Sequence, residues 1–478
     1  MELLYKSARE LVDDLNAKRV SAIDLLEAHL ERHRAVHDRI NAVIRTDLEP
    51  ARRDARAVDE ARARGETLGP LAGLPMTIKD GLDVEGLPAH SGNKELVGRA
   101  RDCSDAEVVR RARAAGAIIW GKTNVPYMLA DWQSYNGIYG TTNNPFDLSR
   151  TSGGSSGGAA AALAAGVTPL EIGSDIGGSL RHPANFCGVF SCKPTWGLLP
   201  QTGHVPPVPG QSAEVDLNVV GPMARTADDL RLLFRVLANT DLHAASNGVS
   251  GLRVATWTQA RGVPLCEETS AAVQRAAVAL EQAGAKATKI APPVNMNTLI
   301  ITYRDLLTEI VRADMRDAPP TWALRLMKPL FALQRAFGAD PLSLAGYSLA
   351  ITASPARLAQ ARKTRDALKT EVARFFEGYD LIVAPVMART AIPHLQKGSI
   401  PTRQIDVDGH AAPYTSFLHW VALATLLHLP AVVAPTGLSR EGLPIGVQLI
   451  GPWGSEERLF DAAAAIEAGL GGFQRPTL

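Results

Sequence analysis

The stretch "TSGGSSGGAAAALAAG", Thr151 to Gly166, constrains the fold of this chain more than any other. Four glycines and three serines fill Ser152–Gly158, and a run of alanines follows. Glycine reaches backbone conformations closed to other residues and lets segments approach closely. The alanines read as a tightly packed helix. Strand and helix signals continue on both sides, so the stretch does not separate domains as a flexible linker would. A phosphate cradle, a nucleophile elbow and a catalytic loop stay open.

The surrounding sequence alternates helix and strand signals, which predicts the α/β class. Ser7–Glu10 and Ser21–Asp24 have the spacing of helix N-caps, the second before a long charged helix to about Arg39. Another helix is expected from roughly Glu49 to Arg64. Leu74, Met76 and Ile78 alternate, which predicts a buried strand ending near Lys79. "VTPLEIGSDIGGS" reads as a strand feeding a glycine-rich loop, and Tyr379–Val386, Pro430–Gly437 and Leu443–Gly451 read as further strands. Residues 290–377 read as a helical insertion, with loops at Asp317–Thr321 and Gly338–Asp340 and with Tyr303, Trp322 and Phe331 as exposed aromatics. No composition shift or repeat divides the chain. Residues 1–478 are therefore expected to form a single domain with N-terminal helices over 1–65.

Bulk properties exclude several classes. The formal net charge of +1 gives no attraction for nucleic acid or an anionic membrane. Cys103, Cys187, Cys192 and Cys266 form no CxxC pair or metal-ligand spacing, which fits reduced thiols and a cytoplasmic location. Cys187 and Cys192 have no neighbouring base and are expected to be buried and inert. No signal peptide or membrane-spanning run is evident.

Two motifs match patterns whose context is wrong. "GAIIWGKT" at Gly116–Thr123 fits a phosphate-binding loop, but that loop follows a strand and opens a helix. Here a helix precedes it and Ala117–Trp120 are themselves strand-like. "GGSSG" at Gly153–Gly157 fits a nucleophile elbow, yet the preceding "TNNPFDLSR" is turn-forming. With His394, His410, His419 and His428 downstream, the elbow stays a weaker alternative.

Three polar clusters together carry more information. They are Lys79 in "GLPMTIKD", Ser155 and Ser156 in "GGSSGG", and "GSDIGGSLRHPANFCG" at Gly173–Gly188. With "GKTNVP", "GPMART" and "LPIGVQLIG" in order along the chain, they resemble the amidase signature family of serine hydrolases. The resemblance implies an amidase signature fold, a large twisted mixed sheet covered by helices on both faces. It also implies a triad with Ser179 as nucleophile, Ser155 as bridging serine after a cis Gly154–Ser155 peptide, and Lys79 as base. Ser156 would support the bridge. The amides of Ile176, Gly177, Gly178 and Ser179 would form the oxyanion hole, with Asp175 and Arg181 holding the loop.

The chemistry is consistent from the residues upward. A serine hydroxyl needs a base to become a nucleophile. Lysine serves only when neutral, and an apolar strand around Lys79 would favour that state. Strand alternation should turn Asp80 to the opposite face, leaving it structural. No metal or organic cofactor is required.

The segment "GKTNVPYMLADWQSYNGIYGTTNNP" reads closest to the fatty acid amide hydrolase side of the family, with Met128 and Leu129 at a substrate-pocket wall. The loop Leu199–Asp216 and the helical insertion could roof an apolar pocket. "DIGGSLRHPAN" departs from the branch acting on glutaminyl-tRNA precursors, which argues against a nucleic-acid partner. The expected activity is hydrolysis of aryl or medium acyl amides, with ester and carbamate side activity. The alternatives are a dedicated urethanase and a catalytically silent binding subunit. The oligomeric state, a homodimer included, is left open.

Overall fold

The computed structural model describes residues 2–99, 103–207, 214–241, 248–312 and 321–478. Among them, eleven strands form one mixed sheet: β1 (Val43–Thr46), β2 (Pro75–Lys79), β3 (Ile118–Thr123), β4 (Leu170–Asp175), β5 (Phe190–Lys193), β6 (Val219–Ala224), β7 (Arg253–Thr256), β8 (Lys286–Lys289), β9 (Leu381–Pro385), β10 (Ala431–Leu438) and β11 (Pro444–Ile450). Their order across the sheet is β1-β3-β2-β4-β6-β5-β10-β11-β9-β7-β8. The β3-β2-β4 and β9-β7-β8 neighbours run parallel, and the remaining pairs run antiparallel.

Side-chain alternation explains why the sheet is covered on both faces. In β9, Leu381 and Val383 enter one apolar core, while Ile382 and Ala384 enter another. A strand buried on both sides reads as a continuous apolar run, as "LIVAP" does. The helix Glu267–Gln282 serves the first core, and Met296–Val311 and Phe417–Leu426 serve the second.

Local signals set the helix ends as expected. Ser7 and Glu10 form a reciprocal capping box, and Ser21 caps the helix Ala22–Ile40. A third N-terminal helix spans Leu48–Ala63. The region 290–377 holds the helices Met296–Val311, Thr321–Ala336, Leu344–Ile351 and Pro355–Gly378. Residues 317–320 of the expected loop lie outside the described residues, as do 208–213 of the loop after Leu199. One expectation is overturned. Tyr303 is fully buried, because its side of the helix faces the core and its hydroxyl has a carbonyl to bind, whereas Trp322 is 67% exposed.

Candidate active site

The two parallel strands β2 and β4 bring the chemistry together. Thr77 lies opposite Glu171 and Ile78 opposite Ile172, so Lys79 emerges beside the end of β4. The loop Ile176–Leu180 leaves that end and enters the buried helix Arg181–Cys187. The glycine-serine run closes over both. Gly153 has φ +87°, and a Cβ there would lie 2.8 Å from Pro183 Cα. A Cβ on Gly154 would lie 2.6 Å from the Gln133 nitrogen. Neither position has room for a side chain, and the Gly154–Ser155 peptide is cis, as expected. The helix Gly157–Ala164 then packs fully buried on all sides, which small residues alone permit at such close range.

This path sets Ser155 Oγ 2.8 Å from Lys79 Nζ. The amine also reaches Ser174 Oγ at 3.0 Å and the Ser174 carbonyl at 3.3 Å. Ser156 ties the two halves: its N–H donates to the Ser179 carbonyl at 3.1 Å, and its hydroxyl to the Ser174 carbonyl at 3.3 Å. Ser155 and Ser179 face one cavity. Their hydroxyls are not hydrogen-bonded to each other.

Burial lowers the Lys79 pKa from 10.5 to about 7, against the opposing pull of Asp175 and Glu171. The amine is therefore partly neutral at neutral pH. Asp80 occupies the other face, as alternation requires. It lies 3.9 Å from Lys122 and 3.7 Å from Arg45, and it accepts the His90 N–H. Lys122 itself sits inside β3 and donates to the Leu82 carbonyl, so the phosphate-loop pattern is a strand. The serine run has turns before it and no strand, which removes the structural premise of the elbow.

Asp175 organises the loop. Burial works to raise its pKa, but the Arg181 guanidinium, bonded to both carboxylate oxygens at 3.0 Å, holds it well below the usual carboxylate range. Arg181 also reaches the Val421 carbonyl, Gln448 Oε1 and Thr425 Oγ1. Asp175 then accepts the Gly178 and Leu180 N–H groups at 2.8 and 3.1 Å. This corrects one expectation. The Gly178 amide is taken by Asp175, which leaves those of Ile176, Gly177 and Ser179 without an acceptor among the described residues. Gly178 has φ +94°, and a Cβ there would collide with the His182 ring.

Two side chains missed in the sequence hold the loop's carbonyls. Trp132 Nε1 donates to the Gly177 carbonyl at 2.8 Å, and the Tyr303 hydroxyl to that of Ile176 at 2.7 Å. The Tyr303 contact fixes the peptide that carries the Gly177 N–H, and the Trp132 contact fixes the one whose Gly178 N–H is bound to Asp175. Ser174 and His204 were also missed. Ser174 lay inside a quoted motif, but only the fold places it on Lys79.

The cavity has a volume of about 430 Å³. Met128 and Leu129 line it, as do Ile176, Pro206, Ile310, Val311 and Tyr347. The insertion thus supplies part of the wall. Cys187 and Cys192 are buried free thiols, and burial raises both pKa values far from thiolate chemistry.

An amidase family model matches residues 24–460. The chain belongs to the amidase family. A glutamyl-tRNA(Gln) amidotransferase subunit from Moorella thermoacetica is 34% identical, with 98% of this chain and 97% of the relative covered. The solved structure of 6-aminohexanoate cyclic dimer hydrolase with its substrate is 27% identical, with a TM-score of 0.77 and 99% of each chain covered. A bacterial aryl acylamidase shares the fold, with a TM-score of 0.78 at 23% identity, covering 97% of this chain and 96% of that one. This amidase is thus an amidohydrolase of the amidase signature class, and none of its helices among the described residues is long and apolar enough to cross a membrane.

Proposed function

We propose that this amidase cleaves carboxamides of aryl or medium acyl groups through an acyl-enzyme on Ser179. The observation that carries this reading is the buried Lys79 amine in contact with Ser155 Oγ, beside an apolar cavity that Ser179 also faces. Neutral Lys79 takes the Ser155 proton while Ser155 takes that of Ser179. The Ser179 oxygen bonds to the carbonyl carbon, and the developing oxyanion meets the amides of Ile176, Gly177 and Ser179. Such donors each contribute about 3–4 kcal/mol in serine hydrolases. The C–N bond then breaks as the proton returns from Lys79 through Ser155 to the leaving nitrogen. Water, deprotonated by the same relay, releases the acid. Met128 and Leu129 contribute to the wall that receives the acyl group. An ester or carbamate presents the same carbonyl and follows the same steps.

A second reading, as one component of an amidotransferase, is favoured by the name of the Moorella thermoacetica relative. The apolar lining of the cavity speaks for the first. Chromophore release from an acyl anilide and from an aryl carbamate, for wild type and Ser179→Ala, tests it. Turnover by the isolated wild type that vanishes in the variant supports the proposal, and the ratio of the two substrates separates amidase from urethanase. Turnover unchanged by the substitution, or absent on every anilide, refutes it.

A further inference from the structure

His204 belongs to a loop that is zipped to the segment directly after the strand of Lys79. The Val205 N–H donates to the Gly81 carbonyl at 2.8 Å, the Asp83 N–H to that of Gly203 at 2.8 Å, and Leu82 bridges His204. The imidazole is buried and lies in the cavity wall. One ring nitrogen, Nδ1, lies 2.6 Å from the Pro206 carbonyl. The other, Nε2, lies 2.8 Å from Ser174 Oγ.

These contacts determine where the protons sit. A carbonyl can only accept, so Nδ1 carries the hydrogen. Burial, reinforced by Lys79, lowers the His204 pKa to about 4, so the ring is neutral and Nε2 presents a lone pair. Ser174 must therefore donate its O–H to Nε2. Its oxygen then faces Lys79 with lone pairs alone, and Lys79 must donate to it. A neutral amine has two N–H bonds. One goes to Ser174 Oγ and the other to the Ser174 carbonyl. What is left is the nitrogen lone pair, and the remaining neighbour is Ser155 Oγ at 2.8 Å. The protonated amine fits equally, because its third N–H meets Ser155 as acceptor.

We infer that His204 is a positioning residue, which acts through Ser174 to aim the Lys79 lone pair at Ser155. The inference rests on the Ser179–Ser155–Lys79 reading above. Without His204, the Ser174 hydroxyl can rotate and donate to the Lys79 lone pair in competition with Ser155. That both blocks the base and disfavours its protonation. The other charges bearing on Lys79 are Asp175 and Glu171 on the neighbouring strand, and Asp83 bears on His204. None of these is altered by the substitution.

The test is a double-mutant cycle of His204→Ala and Ser174→Ala, read as kcat and KM on an acyl anilide across pH. His204→Ala should lower kcat by about tenfold or more, the scale of one misdirected hydrogen bond to an ionising group, and move the acid limb to lower pH. In the Ser174→Ala background the same change should cost less than about twofold, since contacts acting through one another do not add. His204→Gln, which can still accept from Ser174, should recover part of the loss and serves where the alanine variant does not fold. Equal losses in both backgrounds, or a higher KM with an unmoved pH profile, overturn the inference in favour of a wall or packing role. Ser179→Ala and Lys79→Met run alongside. Activity surviving in those removes the triad itself, a failure distinct from additivity at His204.

Discussion

Replacing Lys79 by methionine should abolish turnover and stabilise the fold, most strongly at low pH. In the folded chain burial lowers the lysine pKa from 10.5 to about 7. At about 1.4 kcal/mol per pH unit, that depression costs the fold about 5 kcal/mol wherever both folded and unfolded lysines are protonated, below pH 7. Between pH 7 and 10.5 the unfolded chain binds the extra proton, so the cost shrinks as pH rises. It is about 2 kcal/mol at pH 9 and vanishes above 10.5. Methionine has nearly the same length and no charge. It forfeits the contacts to Ser155 and Ser174, but Ser174 keeps His204 and Ser155 faces the cavity, so the loss is about 1 kcal/mol. A net gain of about 4 kcal/mol is therefore expected below neutrality, falling toward zero near pH 10. Urea unfolding of wild type and variant at acidic and alkaline pH measures it. A variant that is less stable at every pH, or equally stabilised at both ends, would refute the claim that burial of this amine is what depresses its pKa.

The acid limb of kcat/KM should fall near pH 7, because the proposed relay requires neutral Lys79 and the neutral fraction rises through that value; a profile flat across it contradicts the assignment. Asp175→Asn leaves the buried Arg181 without its carboxylate and should cost about 3–5 kcal/mol, visible in thermal unfolding. Trp132→Phe keeps the stacking on Phe417 but loses the bond to the Gly177 carbonyl. It should lower kcat about fivefold with little change in melting temperature, the value of one neutral hydrogen bond.

Much of the sheet was legible because apolar alternation and continuous apolar runs both mark buried strands. Leu74, Met76 and Ile78 placed β2 and its end at Lys79, and the run around Leu381 gave β9. The glycines announced close packing, and Gly153 and Gly154 supply it. Other features left no periodic trace. Tyr303 looked exposed because an aromatic in a helical run does not state which face meets the core. His204 is one histidine in a proline-rich loop, and its place depends on pairing with 81–83, more than a hundred residues earlier. The Gly178 amide could have been read better. An aspartate three residues before it is well placed to accept its N–H, as short acidic side chains do in local turns.

The two buried lysines of neighbouring strands show how strand geometry sets what each amine touches. Lys122 and Asp80 share one face and lie 3.9 Å apart; burial lowers the Lys122 pKa from 10.5 to about 8, against the pull of the carboxylate toward the ammonium. Lys79 is adjacent to Asp80 in sequence, yet alternation sends its side chain to the other face, where it touches hydroxyls and a carbonyl but no carboxylate. Asp175, the acid nearest in function, is already committed to Arg181 and to two backbone amides. Its carboxylate is thereby held on the loop that carries Ser179, and burial outweighs its pull on Lys79. A single-residue slip of β2 against β4 would turn the Lys79 side chain to the opposite face, away from Ser155 and Ser174. The strand register is thus as much a condition of the proposed chemistry as the residues themselves.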